Sequence, residues 1–517
     1  MVLKIAEAFA SAYFPTQYAL HITVGLVTIL VLRAFSQGRR TNRDRDLHAR
    51  VVLVTVSVKT NIDENCTDIT SQGGFTPLGL TILQSLAQRG AHVIALSSDP
   101  IDSANVTILI SLLRTTTSNE QIFAEECDLS SPSSIRSFCT KFLTGKDQRL
   151  DAIIFAHENK HIGSPKPLST TSIDHDQKER DVGSLATFLI TTLLLPAVLV
   201  APAERDIRII NVVNPFYAAA AGVTFSPTFT YETSSPKANS LFLREGHRAL
   251  RTIVFTRHLQ RVLDALPSAS QVPKTEEGTR IVPVVSARLQ KSNITAVSVS
   301  TGIGRVDTIS SLLNADWTSP YGSSYSGIAL YLFLQPLLRL FTKSPIAAMQ
   351  TVLHVLFLPT PFKVLAQATD SASASTKEGE KAPQGPIDAS RLEIPEEVLR
   401  PGSLYAECAT VKLKVKLPKD LVEEDQQLQK QKAAAKEKKA DKGKGKEKAS
   451  LKEEVLDISD DGEYGGELGG RLVWEAYEGA LKIWEKENPG KVEEKKAETE
   501  VPLPKPQLPK EEETSPY

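Results

Sequence analysis

The run Arg50-Val51-Val52-Leu53-Val54-Thr55-Val56, followed after an insert by Ser71-Gln72-Gly73-Gly74-Phe75-Thr76-Pro77-Leu78-Gly79-Leu80 and then by Gly90-Ala91-His92-Val93-Ile94-Ala95-Leu96, decides the fold. Two β-branched apolar runs flank a helix-compatible segment, the pattern of two buried parallel strands joined by a covering helix. The glycines fall between the first strand and that helix, where backbone N–H groups at a helix N-terminus can take a pyrophosphate. Pro77 stands where a middle glycine belongs: it suits a first helical turn but removes one N–H donor. Residues 59–71 lengthen this connection beyond the about two to six residues usual for it.

Candidate strands recur at residues 51–56, 92–96, 122–126, 152–156, 207–213 and 294–299, each rich in β-branched residues. Helices are expected between them at 78–88, at 132–143 behind a serine cap, at 185–200 and at 250–263. This alternation specifies an α/β class, a doubly wound parallel sheet of the Rossmann-like kind with helices on both faces.

Composition divides the 517 residues into an N-terminal membrane anchor and basic juxtamembrane segment (1–48), an α/β domain (49–366), a linker and closing segment (367–417) and a charged low-complexity tail (418–517). No formally charged residue lies between Glu7 and Arg33. A span at about 14–33 therefore meets the roughly 20 apolar residues a bilayer requires. Arg33, Arg39, Arg40, Arg43 and Arg45 follow it in place of a cleavage site, so the segment reads as an uncleaved single-pass transmembrane anchor with the domain on the cytosolic side. The sequons at Asn65, Asn105 and Asn293 would then go unused, and the endoplasmic reticulum is favoured over the mitochondrial outer membrane. A formal net charge of −1 supports no nucleic-acid partner. Cys66, Cys127, Cys139 and Cys408 lack the spacing of a metal site and read as small core residues, so no metal is expected.

The apolar segment 327–362, broken by Pro336, Arg339 and Lys343, admits two readings: a lipid-facing or substrate-covering helix pair, or buried helices that close the domain. Beyond it, the Ala/Lys/Glu/Gly tract at 430–454 cannot build a core and reads as a disordered C-terminal tail, a surface for protein partners. Within that tail Leu472, Val473, Trp474, Tyr477, Leu481 and Trp484 recur at helical spacing, which predicts an amphipathic helix at about 470–487 docked on its own domain or on a partner.

Several blocks in order, over about 51–408, carry a resemblance. They are Gly73-x-x-x-Pro77-x-Gly79, Cys127-Asp128-Leu129-Ser130, Leu150-Asp151-Ala152-Ile153-Ile154, Phe188-Leu-Ile-Thr-Thr-Leu-Leu-Leu-Pro196, Arg208-Ile-Ile-Asn-Val212, Ile253-Val-Phe-Thr-Arg257 and Ser344-Pro-Ile-Ala-Ala-Met-Gln-Thr351. Together they are similar to the short-chain dehydrogenase/reductases, most closely a membrane-anchored retinol-dehydrogenase-like branch, here in a degenerate form of fungal type. The resemblance implies NAD or NADP held at Gly73, Gly79, Asp99, Asp128 and Gly302, with Asp99 leaning towards NAD. Pro77, together with Ala156-His157-Glu158 in place of the family's Asn-Ala-Gly, implies that this binding is weak or lost.

The family's chemistry needs an asparagine, a serine, a tyrosine that moves a proton, and a lysine four residues on that lowers the phenol pKa. Aligning Phe255-Thr256-Arg257 with the family's Phe-Thr-Arg places Glu245 at the tyrosine and Ala249 at the lysine, while Asn214 stands at the serine and Gly183 at the asparagine. Tyr231 and Lys237, spaced by six, would fall on different helix faces. Tyr217, Glu245 and His247 are the substitutes a different acid–base set would draw on. General acid–base catalysis is worth roughly 10²- to 10⁴-fold, so its loss predicts a pseudoenzyme, a binding or scaffold module retaining a nucleotide or lipophilic small molecule. The alternative is an active NAD(P)-dependent oxidoreductase on a lipophilic alcohol or carbonyl that uses non-standard residues.

Overall fold

Buried apolar runs become strands here because both faces of each are covered. The computed structural model describes residues 19–55, 75–145, 149–202, 205–229, 240–266, 293–316, 323–360, 397–425, 427, 458 and 460–488. Gly73, Tyr231, Lys237, the insert at 59–71 and most of the charged tract lie outside them. The elements in chain order are α1 (Ala19–Gln37), β1 (Val51–Thr55), α2 (Pro77–Ala87), β2 (His92–Ser97), α3 (Ala104–Thr117), β3 (Ile122–Glu126), α4 (Pro132–Thr144) and β4 (Ala152–Phe155). They continue with α5 (Ile173–Leu199), β5 (Ile207–Val213), α6 (Tyr217–Ala221), α7 (Leu241–Ala265), β6 (Ile294–Ser300), α8 (Tyr325–Phe341), α9 (Pro345–Phe357), β7 (Leu404–Ala406), β8 (Ala409–Val411) and α10 (Gly466–Glu487).

The strands form one eight-stranded sheet in the order β3-β2-β1-β4-β5-β6-β7-β8. All neighbours are parallel except β7 and β8. The order reverses at β1, so the chain winds outward in both directions from the first strand, as the doubly wound class requires. One apolar layer joins Leu53, Ile153 and Ile209 to α5 and α7. On the other face, Val52, Val54, Ile210 and Val297 pack with α2 and α9. Burying such side chains contributes about 1.5–3 kcal/mol each, the main stabilisation of the domain.

Local signals explain the helix starts. Thr76 caps α2, its side chain accepting from Gly79 N at 3.1 Å, and Pro77 takes the first turn. Helices α5 and α7 begin well before the expected 185 and 250, because the charged stretches leading into them are buried and paired. The sheet also recruits residues 404–411 from the segment read as linker, through the register Ser298↔Leu404. Helix α10 packs on α5 and α7, with Val473, Tyr477 and Trp484 buried and Phe188 stacked on Tyr477 at 5.1 Å. Helix α5 is long and apolar enough to cross a membrane but is mostly buried, a core helix; α1 is also long and apolar enough and its span is unburied, with its C-terminal turn bonded to α8.

Candidate functional site

The carboxyl ends of β1, β4, β5 and β6 converge on a single 3₁₀ turn, His157–Asn159, whose three residues are all buried. His157 Nε2 lies 3.0 Å from the Gly183 carbonyl oxygen, which can only accept, so that nitrogen carries the proton. Its Nδ1 then accepts from the Thr55 hydroxyl at 2.8 Å. Burial lowers the imidazole pKa and keeps the ring neutral. Gly183, expected from the sequence to stand at the family's asparagine position, offers its carbonyl to His157.

Glu158 lies entirely within the fold. One carboxylate oxygen accepts from Thr187 Oγ1 at 2.5 Å and the other from Thr252 Oγ1 at 2.7 Å. Asn214, at the end of β5, donates from Nδ2 to the Asn159 carbonyl at 3.4 Å, and its Oδ1 accepts from Phe216 N at 3.0 Å. Thr301, just beyond β6, donates to Asn159 Oδ1 at 2.8 Å. The turn is therefore held from four strand ends and two helices, and its polar side chains point into the fold.

Glu245 sits in the first turns of α7 with its side chain fully shielded from solvent. It accepts from Arg180 Nε at 2.5 Å and from Arg248 Nη2 at 2.8 Å, and His161 Nδ1 stands 3.9 Å away. Burial pushes this carboxyl up, but Arg248 and Arg180 more than reverse that, leaving its pKa below the ordinary range. The two guanidiniums also bind carbonyls, Arg180 that of Ile162 at 2.5 Å and Arg248 those of Glu158 and Lys160 at 3.0 and 2.8 Å. Burial lowers His161 to about 4, so it is neutral at pH 7.

The remaining candidates disperse. Ala249 is core, packed with Leu250 and Ile253. His247 faces away from Glu245 and stacks on Phe225 at 6.2 Å, and burial lowers it to about 4. Tyr217 packs against the core around Ala220, and burial raises its phenol. The structure thus does not bring Tyr217, Glu245 and His247 into one acid–base set.

On the β1–β3 side, Asp99 follows the end of β2 and its backbone N donates to Ser97 Oγ at 3.1 Å. The Asp128 carboxylate caps its own loop, accepting from Ser130 N and Oγ at 2.9 and 2.8 Å. Gly302 has φ +83°, and a Cβ there would stand 3.0 Å from the Lys343 side chain, so glycine is required at this bend. In the first turn of α2 several donors are missing or already used. Pro77 has none, Gly79 N binds Thr76 Oγ1 at 3.1 Å, and Leu80 N binds the Thr76 carbonyl at 2.9 Å. Asp307 comes from a wide π turn, Arg305–Ser310, beyond β6, and burial raises its carboxyl to about 6. Sequence reasoning missed Arg180, Arg248, Thr187, Thr252 and Asp307. The one available signal was the density of arginine and threonine in helices that also carry the apolar pattern of a core.

No family model matches the chain. It is 27% identical over 346 residues to an uncharacterised oxidoreductase of Saccharomyces cerevisiae, covering 63% of this chain and 72% of that protein. An uncharacterised oxidoreductase of Schizosaccharomyces pombe is 22% identical over 337 residues, covering 65% and 77%. Human retinol dehydrogenase 13 is 25% identical over 305 residues, covering 59% and 73%. Among solved structures, an NADPH-bound short chain oxidoreductase from Pseudomonas aeruginosa with an atypical catalytic centre is 13% identical over 60% of this chain and 90% of its own, with a TM-score of 0.34.

Proposed function

From the membership of this chain in the short-chain dehydrogenase/reductase superfamily, with its NAD(P)-binding type of fold, we propose that it is a membrane-anchored scaffold of that superfamily without the usual hydride-transfer turnover. The observation that carries this reading is Glu245. At the position aligned with the family's tyrosine stands a fully buried carboxylate held by Arg180 and Arg248, which presents no acidic hydrogen to a substrate. Ala249 at the lysine position, Gly183 at the asparagine position and Asn214 at the serine position support it.

A nicotinamide does not fit the residues that remain. His157, Glu158 and Asn159 fill the strand ends where it would lie, and the Glu158 carboxylate has both oxygens engaged. Among the described residues at the pyrophosphate end, Pro77 offers no donor and the N–H groups of Gly79 and Leu80 are taken by Thr76. Gly79, Asp99, Asp128 and Gly302 support at most weak NAD or NADP binding through the adenosine half. No hydride step is therefore drawn for this chain. The N-terminal helix α1 and the arginines that follow it support a single-pass anchor with the domain on the cytosolic side, and the likeness to retinol dehydrogenases favours the endoplasmic reticulum over the mitochondrial outer membrane.

The printed names of the relatives favour a second reading, an active oxidoreductase on a lipophilic alcohol or carbonyl. The two are separated by adding NADH or NADPH to the detergent-solubilised full chain while following thermal shift, cofactor fluorescence and carbonyl-dependent oxidation. The scaffold reading expects no carbonyl-dependent oxidation. Oxidation that is abolished by Glu245→Gln or Tyr217→Phe would overturn it.

A further inference from the structure

Building on the reading of α1 as a membrane anchor, we infer that α8 is a second membrane element, a helix lying in the interfacial plane of the same bilayer with its outward face in the lipid. In α8 the usual pattern of a surface helix is inverted. Leu330, Leu332, Phe333, Leu337 and Phe341 are exposed, Phe333 to 80%, while Gly327 is its one fully buried residue. An outward apolar face of this size on a helix packed against a domain marks an interaction surface. The apolar segment 327–362 thus divides: α9 is core, with Val352, Leu353 and Val355 buried, and α8 is not.

Geometry decides between spanning and lying flat. Seventeen residues reach about 26 Å, short of the roughly 30 Å hydrocarbon core. Both ends are also tied to the domain. At the first turn Ser324 N donates to the Asn314 carbonyl at 2.9 Å, and Gly327 presses so closely on the Leu313 carbonyl that no Cβ fits. Beyond the last turn Lys343 N donates to the Ile303 carbonyl at 3.0 Å. A helix pinned at both ends cannot cross a bilayer, but it can lie along one.

The occupant follows from continuity with α1 and from charge. The C-terminal turns of the two helices are bonded side by side: Arg33 Nη1 donates to the Arg339 carbonyl at 2.5 Å, Ser36 Oγ to that of Leu340 at 2.6 Å and Gln37 Nε2 to that of Thr342 at 3.1 Å. The Gln37 Oε1 atom accepts from Ser344 N and Oγ at 3.2 and 2.9 Å. Where α1 leaves a bilayer, α8 therefore lies at its surface. Exposed Arg33, Arg39, Arg40 and Arg339 collect at this junction, the depth of anionic headgroups. The acid beside them, Glu407, is engaged by Lys343 at 2.5 Å, and Arg45 turns inward to Asp206 at 2.9 Å. Exposed Ile303 and Ile346 extend the apolar patch to the bend at Gly302.

The test uses the full chain carrying Cys66→Ser, with one added cysteine at Ile29, Phe333, Leu337 or Glu475, each labelled with an environment-sensitive fluorophore. The chain is reconstituted in phosphatidylcholine vesicles containing phosphatidylserine. The label on Cys66→Ser alone supplies the background from the buried cysteines. The expected result is that labels at 29, 333 and 337 are quenched several-fold more by brominated lipid than by aqueous iodide, with Glu475 the reverse. Quenching at 333 and 337 without quenching at 29 would uphold α8 and sink the anchor. Quenching at 29 with 333 and 337 open to iodide would overturn the inference and leave the anchor standing. Labels at 333 and 337 shielded from both quenchers would also overturn it, identifying a protein contact instead.

Discussion

At the residue scale, buried charge is concentrated around Glu245, which two guanidiniums hold inside the fold. Removing one member of a buried ion pair strands the other, at about 3–5 kcal/mol. Glu245→Ala leaves Arg180 and Arg248 buried without their carboxylate, so chemical denaturation should show a loss of that order. Ala249→Ser, a small change in a packed core, should lose distinctly less. A loss below 1 kcal/mol for Glu245→Ala would mean that the network relaxes into solvent. Asp307 makes a second, functional prediction. The buried turn that carries it packs against α2, so its negative charge stands near the helix start where a pyrophosphate would sit. Asp307→Asn removes that charge and should raise the affinity for ADP at least several-fold by isothermal titration. Unchanged or weaker binding would show that Asp307 does not oppose the anion.

At the element scale, α10 is the addition that most alters the domain surface. Its Tyr477 stacks on Phe188 and packs near Phe255 at 5.4 Å, and Gly470 lets the helix close onto His258 of α7, where a Cβ would not fit. Truncating a fully buried aromatic costs about 3–5 kcal/mol. Tyr477→Ala should therefore release α10, seen as lost hydrogen-exchange protection over residues 466–487. The same contact is sensitive to acid. Burial, with Arg261 and Arg471 close by, lowers His258 to about 4 from its ordinary 6.5. A depressed folded pKa stabilises the docked state above pH 6.5, and that stability is lost as pH falls towards 4. Trp474 and Trp484 report it, so their emission should shift to the red over that window, and His258→Phe should flatten the response. An unshifted pH response in the variant would assign the acid sensitivity elsewhere.

Legibility in the sequence divides along the same physical lines. The six long strands and the start of α2 are readable because β-branched runs and a Thr-Pro cap act locally. Strands β7 and β8 are not, since three residues each make no period and they pair only because β6 offers an edge. The early turns of α5 and α7 look like solvent-facing charge, and their burial depends on pairing across 65 residues between Arg180 and Glu245. The proposed losses at Gly183, Asn214, Glu245 and Ala249 rest on matching sequence blocks to the family pattern. What fills the space, and the packing of the Asp307 turn against α2, exists only in three dimensions.

At the scale of the whole molecule, the proposed anchor raises the question of which side of the membrane holds the domain, and the chain carries its own reporter. Asn105-Val106-Thr107 is a glycosylation sequon, and Asn105 is exposed at the start of α3. Asn293-Ile294-Thr295 is not a usable one in the folded domain, because Asn293 is buried and its Nδ2 donates to the carbonyls of Pro202 and Arg205 at 3.2 and 3.0 Å. The arginines that follow α1 favour retention of their side in the cytosol, where no glycosyl transfer occurs. The full chain expressed in a eukaryotic cell should therefore show no change in mobility after endoglycosidase treatment, despite the exposed site. A sequon introduced ahead of α1 should be modified if the N-terminus reaches the lumen. A glycan found at Asn105 would reverse the orientation and place the domain, with α8, on the luminal leaflet.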